Sequence, residues 1–308
     1  MNIVFFGSSK FAVKSLDAIL EAGHRVNLVV TQPDKPKGRH LFYSSTDVKE
    51  RSKELKLNIY QPDDPSGQRA IDTIRKVQAD LFIVISYGHI LKNSILGLPK
   101  LYSLNVHASL LPKYRGAAPI NWAIIKGEKE TGLSVIRMNE KMDCGDILLQ
   151  KGLKIENNDN AVTLQDKLSF LAALSIVEAV SLIEHRQEQF MKQDDSCASL
   201  APKLKKDDGL IDWNGSCEDI VNQIRGLLPW PTAFTYLDGK LLKIFAARIS
   251  GEAEGEAGKI SALTKEGIII AAGRGTVEIL EVQLASEKRM AAGAFLCGHR
   301  LVIGNKLG

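Results

Sequence analysis

Ile3-Val4-Phe5-Phe6-Gly7-Ser8-Ser9-Lys10-Phe11 is an apolar run of strand length that stops at a glycine and turns, through two serines, into a helix-periodic stretch reaching Glu21. A second β-branched run, Val26–Val30, follows directly, so the chain opens as strand, helix, strand. Such a unit closes only if the two strands lie parallel with the helix crossing over one face. The same alternation continues outward. Leu81–Ile85, Ser103–Val106 and Leu133–Met138 read as further strands, with Ile147–Gln150 after them. Ser66–Val77 and Pro119–Ile125 read as helices, the second with proline at a favourable first position. The expected fold is an α/β, doubly wound, Rossmann-like domain over residues 1–188, ended by a long helix from Leu164 to about Glu184. The turn at Gly7 has one glycine where a dinucleotide-binding fingerprint needs three, which speaks against a nicotinamide or flavin site.

After Gln187 periodicity is lost, and residues 189–206 read as a linker containing Asp194-Asp195-Ser196 and the basic run Lys203, Lys205, Lys206. From Ile211 the texture changes to one short helix pattern, Cys217–Leu227, and five short β-branched runs separated by Gly-rich turns. These runs are Thr232–Leu237, Lys240–Ala247, Lys259–Ala262, Gly267–Ala271 and Thr276–Leu284. Residues 207–308 are expected to form a small all-β, OB-like barrel, with a small sandwich as the alternative.

Composition narrows the class. With 44% hydrophobic and 25% charged residues, disorder and low-complexity architectures are excluded. The N-terminus lacks the pattern of a signal peptide, and the long apolar stretch Leu168–Ile183 is broken by Glu178, so a cytoplasmic protein with no membrane span is expected. The four cysteines lie far apart without C-x-x-C spacing, and the histidines do not cluster, so no metal and no disulfide framework is expected. Residues 1–206 carry 29 Lys/Arg against 23 Asp/Glu, whereas residues 207–308 carry 11 against 13, so a polyanionic partner would be attracted through the first two-thirds.

The sharpest chemical signal is Asn105-Val106-His107. Residues two apart on a strand share a face, so a carboxamide and an imidazole converge at the carboxyl end of a strand, where open α/β sheets bind their ligands. Such a pair can donate to the oxyanion formed when an amine attacks an acyl-type carbon. The loop Asn139–Asp146 brings two carboxylates, Asp143 and Asp146, within reach of orienting that imidazole, while turn chemistry around Gly145 is the simpler account of Asp146. Between these segments lies an unusual stretch, Ser109-Leu110-Leu111-Pro112-Lys113-Tyr114-Arg115-Gly116-Ala117-Ala118-Pro119-Ile120.

On these residues the chain resembles the folate-dependent formyltransferase family nearly end to end. The resemblance assigns the catalytic Asn, His and Asp to Asn105, His107 and Asp143, and the folate-pocket S-L-L-P motif to Ser109, Leu110, Leu111 and Pro112, followed by R-G-x-x-P-I at Arg115–Ile120. Tyr87-Gly88-His89-Ile90-Leu91 is similar to the family's loop beside the pterin, which places Tyr87, Gly88 and Ile90 at the donor. The implied donor is 10-formyltetrahydrofolate, a reduced folate, with no metal. Thr31-Gln32-Pro33-Asp34-Lys35-Pro36-Lys37-Gly38-Arg39 resembles the basic insert of the family's tRNA-modifying members. Ile211-Asp212-Trp213, Leu228–Ala233 and Gly298-His299-Arg300 resemble their C-terminal domain. The implied acceptor is initiator methionyl-tRNA, held by Lys35, Lys37, Arg39 and Arg115, with no obligate protein partner. A nucleotide sugar or another small amine is the alternative acceptor. The chain departs from the family pattern at Leu41–Thr46 and at Ser8-Ser9, where Thr-Pro is common. Trp213 and Trp230 read either as base-stacking residues or as core.

Overall fold

The computed structural model describes residues 1–37, 42–252 and 255–308. The chain forms two compact units whose segments interleave: Met1–Gly116, Glu130–Lys154 and Gln165–Ala201 in one, Ala117–Lys129, Ile155–Leu164 and Pro202–Gly308 in the other.

The first unit is built on a seven-stranded sheet. Its spatial order is Ile147–Lys154, Glu130–Arg137, Tyr102–His107, Leu81–Ile85, Asn2–Gly7, Arg25–Val30, Ile59–Tyr60. Asn2–Gly7 is central and runs parallel to both neighbours, with Phe5 opposite Val29 on one side and Ile83 on the other. Its continuous apolar run follows from burial on both faces. Val4 and Phe6 join Leu28, Val30, Phe82, Val84, Ile74 and Ile95 in one cluster, while Ile3 and Phe5 are fully buried as well. Helix Lys10–Glu21 buries Phe11, Ala12, Ser15, Leu16 and Ile19, one stripe at helical spacing. The last two strands are antiparallel. Glu130–Arg137 pairs antiparallel with Tyr102–His107 across a long connection that contains helix Pro119–Ile125, and Ile147–Lys154 pairs antiparallel with Glu130–Arg137 as the second arm of a hairpin. The residues expected to act as a linker are hydrogen-bonded within this unit as far as Ala201. Met191 pairs with Ile147, and Leu200–Ala201 pairs parallel with Arg115–Gly116.

The second unit carries an antiparallel sheet ordered Ala233–Leu237, Lys240–Gly251, Thr276–Leu284, Ile268–Ala271, Ile260–Leu263, with Met290–Ala291 added to Thr276–Leu284. These are the five expected strands of the small β domain. Helix Cys217–Gly226 begins at Ser216, whose hydroxyl accepts from Asp219 N at 3.1 Å, with Glu218 and Asp219 complementing the helix dipole. Ile220 and Ile224 of this helix pack into the sheet core with Leu242, Ile244, Val277 and Ile279. Trp213 is core, its Nε1 donating to Thr235 Oγ1 at 3.1 Å, whereas Trp230 is exposed.

Helix Pro119–Ile125, expected within the N-terminal domain, packs in this second unit. Asn121 Nδ2 donates to Gly226 O at 2.7 Å, Trp122 Nε1 to Pro202 O at 2.9 Å, and a Cβ on Gly226 would stand 2.6 Å from Ile125 Cγ1. Arg225 Nη1 donates to the carbonyls of Glu156, Asn157 and Asp159 at 3.1–3.4 Å. A fragment of residues 203–308 therefore exposes the surfaces that Trp122 and Ile125 cover and loses the acceptors of Arg225. Expressed alone, it is expected to melt earlier and less cooperatively than the second transition of the intact chain in calorimetry. An equally stable, cooperative fragment would refute that packing argument. Among the described residues no helix is long and apolar enough to cross a membrane.

Candidate active site

Asn105 and His107 lie at the carboxyl end of Tyr102–His107, between a parallel and an antiparallel neighbour, with His107 opposite Ser134. His107 is 6% exposed. Its Nε2 is 2.8 Å from Tyr114 O, and because a carbonyl only accepts, Nε2 carries the hydrogen. Nδ1 faces Asp143 Oδ1 at 3.5 Å. Both ring nitrogens thus face oxygen atoms. Asn105 Nδ2 approaches the same Asp143 Oδ1 at 3.4 Å, and Gly116 N donates to the other carboxylate oxygen, Oδ2, at 2.9 Å. One carboxylate is therefore gripped by the amide, the imidazole and a backbone N–H.

Asp143 has φ +54°, in the left-handed region that aspartate and asparagine enter more readily than other residues with a side chain. The second carboxylate of the loop goes elsewhere: Asp146 Oδ2 pairs with Arg137 Nη2 at 2.5 Å and its carbonyl accepts from Arg137 N. Gly145 packs so closely that an added Cβ would lie 1.8 Å from Arg137 O.

Ser109–Pro112 forms a fixed ledge. Ser109 Oγ donates to Lys113 O at 2.6 Å, Ser134 Oγ donates to Ser109 O at 2.7 Å, and Leu111 N donates to Ser134 Oγ at 3.0 Å. Gln150 Nε2 reaches both Leu111 O and Ser134 Oγ at 2.8 Å. Leu110 packs over Gly132, and Leu111 is buried with Ile136 and Ile147, so Leu111 supports the ledge from below. The Leu111–Pro112 peptide is cis. Ser134 and Gln150 escaped sequence reading; the available signal was a lone serine inside the apolar strand Leu133–Ile136.

Tyr87, Gly88 and Ile90 follow the strand Leu81–Ile85. Tyr87 is core, its ring 5.5 Å from that of Phe6, and burial raises its phenol above the ordinary value. Its carbonyl accepts from Ser8 Oγ at 3.0 Å and Gln32 Nε2 at 2.9 Å. Gly88 has φ +83° and sits where a Cβ would meet Gln32 Nε2 at 2.4 Å, while Ile90 is 72% exposed. Gly88 and Ile90 face outward and Tyr87 anchors them.

Of the expected cationic contacts, Lys35 and Lys37 lie on a hairpin, Lys35–Lys37 against Phe42–Ser44, and Lys35 Nζ donates to Gln32 Oε1 at 2.8 Å. Arg39 lies outside the described residues. Arg115 differs from expectation: it is 8% exposed, and its Nε and Nη2 donate to Gln193 Oε1 at 3.1 and 2.7 Å, with Nη2 also meeting Asp195 Oδ1 at 2.7 Å. Gln193 and Asp195, which lie just before strand Leu200–Ala201, receive its hydrogen bonds. Gly116 beside it has φ +125°, and a Cβ there would lie 2.6 Å from Ala201 O. Gly116→Ala is expected to destabilise the protein by roughly 1–3 kcal/mol, read as a lowered Tm, through backbone strain and displacement of the Leu200–Ala201 strand. An unchanged Tm would remove this constraint. Among the described residues no group of three or more His, Cys, Asp or Glu is placed to hold a metal ion.

The sequence matches a profile described as formyl transferase over residues 1–180 and one described as formyl transferase, C-terminal domain, over residues 203–300. A protein of Geobacter sulfurreducens named methionyl-tRNA formyltransferase is 42% identical over 308 residues, covering 100% of this chain and 97% of that one. The protein of that name from Geobacter metallireducens is also 42% identical over 308 residues, covering 100% and 99%. Among solved structures, WlaRD, a sugar 3N-formyl transferase crystallised with dTDP and 5-N-formyl-THF, superposes with a TM-score of 0.68 at 20% identity, covering 94% of this chain and 99% of its own; at that identity the likeness concerns the fold. Matched along both parts of its length and by full-length relatives, the chain belongs to the formyl transferase family.

Proposed function

We propose that the protein transfers the formyl group of 10-formyltetrahydrofolate to the amino group of initiator methionyl-tRNA, in the cytoplasm. The observation that carries this reading is the convergence of Asn105 Nδ2 and His107 Nδ1 on one oxygen of Asp143, in a chain whose full-length relatives bear the name methionyl-tRNA formyltransferase. At 3.4 and 3.5 Å both donors are loosely engaged by that oxygen, so a second acceptor, the formyl oxygen, can share them as negative charge develops on it.

In this mechanism the uncharged amine of the methionyl group attacks the formyl carbon. The new C–N bond forms, the oxyanion accepts hydrogen bonds from Asn105 Nδ2 and from the His107 ring, and the carbon–N10 bond then breaks as the carbonyl re-forms. Asp143 fixes the imidazole and relays the proton from the amine, through water, to N10. Tetrahydrofolate and formylmethionyl-tRNA leave, and no covalent enzyme intermediate is involved. The donor's ring lies against the Ser109–Pro112 ledge and the outward residues Gly88 and Ile90, with Tyr87 supporting them. Lys35, Lys37 and Arg39 meet the phosphates of the acceptor. No metal takes part.

The deciding experiment incubates the protein with 10-formyltetrahydrofolate and either methionylated initiator tRNA or a dTDP-linked amino sugar. Formylmethionine is expected from the first and no formylated sugar from the second. The reverse outcome would keep the transfer chemistry and replace the acceptor.

A further inference from the structure

Residues 191–201 run as a strap across both loops that carry the site. At one end Met191 exchanges two backbone hydrogen bonds with Ile147, each 2.8 Å. At the other, Arg115 N donates to Ser199 O at 2.8 Å, Tyr114 N donates to Ser199 Oγ at 2.9 Å, and Leu200–Ala201 continues as a strand beside Arg115–Gly116. Residues 194–200 are exposed, so apolar burial does not hold this segment in place.

Gln193 is the side chain that connects the strap to the chemistry. Its Nε2 donates to Asp143 O and to Gly145 O, both at 2.8 Å. Its Oε1 accepts twice from Arg115, at 3.1 Å from Nε and 2.7 Å from Nη2. The orientation is forced, because two carbonyls only accept and a guanidinium only donates; a flipped amide would place like against like on both sides. Four bonds thus tie the backbone on either side of Cys144 to the residue preceding Gly116, whose N–H holds the Asp143 carboxylate.

We propose that Gln193 is a positioning residue for the transfer reaction: with Arg115 it fixes Asp143 against His107 and Asn105, and it does so without touching either substrate. This rests on the function proposed above. Asp143 holds a left-handed backbone conformation, and Gln193 fixes its carbonyl and that of Gly145. Releasing the Asp143 and Gly145 carbonyls lets the loop relax, and the carboxylate leaves the position where it meets the imidazole. Misplacement on the scale of 1 Å at a reacting centre costs about 10²-fold in rate.

The test compares wild type, Gln193→Ala and Gln193→Met, the last preserving bulk without donor or acceptor, in steady-state formyl transfer. Both variants are expected to lose roughly 10- to 100-fold in kcat, with the KM for 10-formyltetrahydrofolate within about twofold of wild type. Gln193→Glu keeps the acceptor for Arg115 but has no hydrogens for the two carbonyls, so it should resemble Gln193→Ala. In an Asp143→Ala background, Gln193→Ala should cost less than about threefold, because a residue acting through Asp143 has nothing left to position. Unchanged kcat in Gln193→Met, a loss confined to KM, or a full additive loss in the Asp143→Ala background would each overturn the assignment. A wild type that transfers no formyl group would instead defeat the functional reading, and the two failures are read from different lanes of the same assay.

Discussion

Asn105→Ala and His107→Ala are each expected to lower kcat for formyl transfer by ~10²–10³ while the KM for the folate donor changes little, the scale set by removing one oxyanion donor. Asn105 gives Asp143 only a 3.4 Å contact, so its loss leaves no deeply buried partner stranded. His107 is different in kind. Its removal breaks the buried 2.8 Å contact with Tyr114 O, so some loss of Tm should accompany this variant. Asp143→Asn exchanges an acceptor-only group for one that also carries hydrogens, against Gly116 N, which donates, and beside His107 Nδ1. It should fall into the same range, and combined with His107→Ala it should add little. Asp146→Asn supplies the control, since Asp146 pairs with Arg137, a partly exposed contact worth about 0–1 kcal/mol and directed away from the site. Severe loss in Asp146→Asn with a mild effect in Asp143→Asn would mean that the carboxylates have exchanged roles.

What was legible in the sequence follows from which interactions leave a periodic trace. The strands Asn2–Gly7 and Leu81–Ile85 are buried on both faces, so they appear as unbroken apolar runs. Asn105 and His107 converge because a strand repeats every two residues, a relation visible without coordinates. The antiparallel direction of Glu130–Arg137 was not visible, because apolar patterning records burial and not the sense of a connection. Helix Pro119–Ile125 has a plain helical pattern, yet its partner, helix Cys217–Gly226, lies almost a hundred residues later. Nothing local identifies that partner. The strap at 191–201 is the clearest case. It is held by main-chain pairing and by the two ends of one amide, Gln193, which has the composition of a linker and no periodicity to betray it. Arg115 was read as a cation awaiting an anion for the same reason: its acceptors, Gln193 and Asp195, stand some eighty residues away.

Replacing Lys35, Lys37 and Arg39 together by alanine is expected to flatten the salt dependence of methionyl-tRNA binding by roughly 2–3 in log–log slope, since each phosphate contact contributes ~0.7–0.9. The three cations lie within five residues of the sequence, and Lys35 and Lys37 belong to strand Lys35–Lys37, which pairs directly with Phe42–Ser44. Lys35 is exposed and donates to the amide oxygen of Gln32, a neutral acceptor. By contrast Asp34 at the base of the hairpin is neutralised by Lys49 at 2.6 Å, which with Gln61 holds its carboxyl below the ordinary value, so the negative charge nearest the cations is already spoken for. A polyanion approaching Lys35 meets its ammonium beside a carboxylate, Asp34, that Lys49 already holds. Arg39→Lys should be impaired nearly as much as Arg39→Ala if the guanidinium makes paired hydrogen bonds to one phosphate, because an ammonium of equal charge cannot reproduce that fork. Saturating tRNA should also slow trypsin cleavage at these residues. A triple variant with wild-type kcat/KM and an unchanged slope would remove the hairpin from the acceptor site without touching the chemistry at Asn105 and His107. The positive excess of the first 206 residues would then have to act from another face.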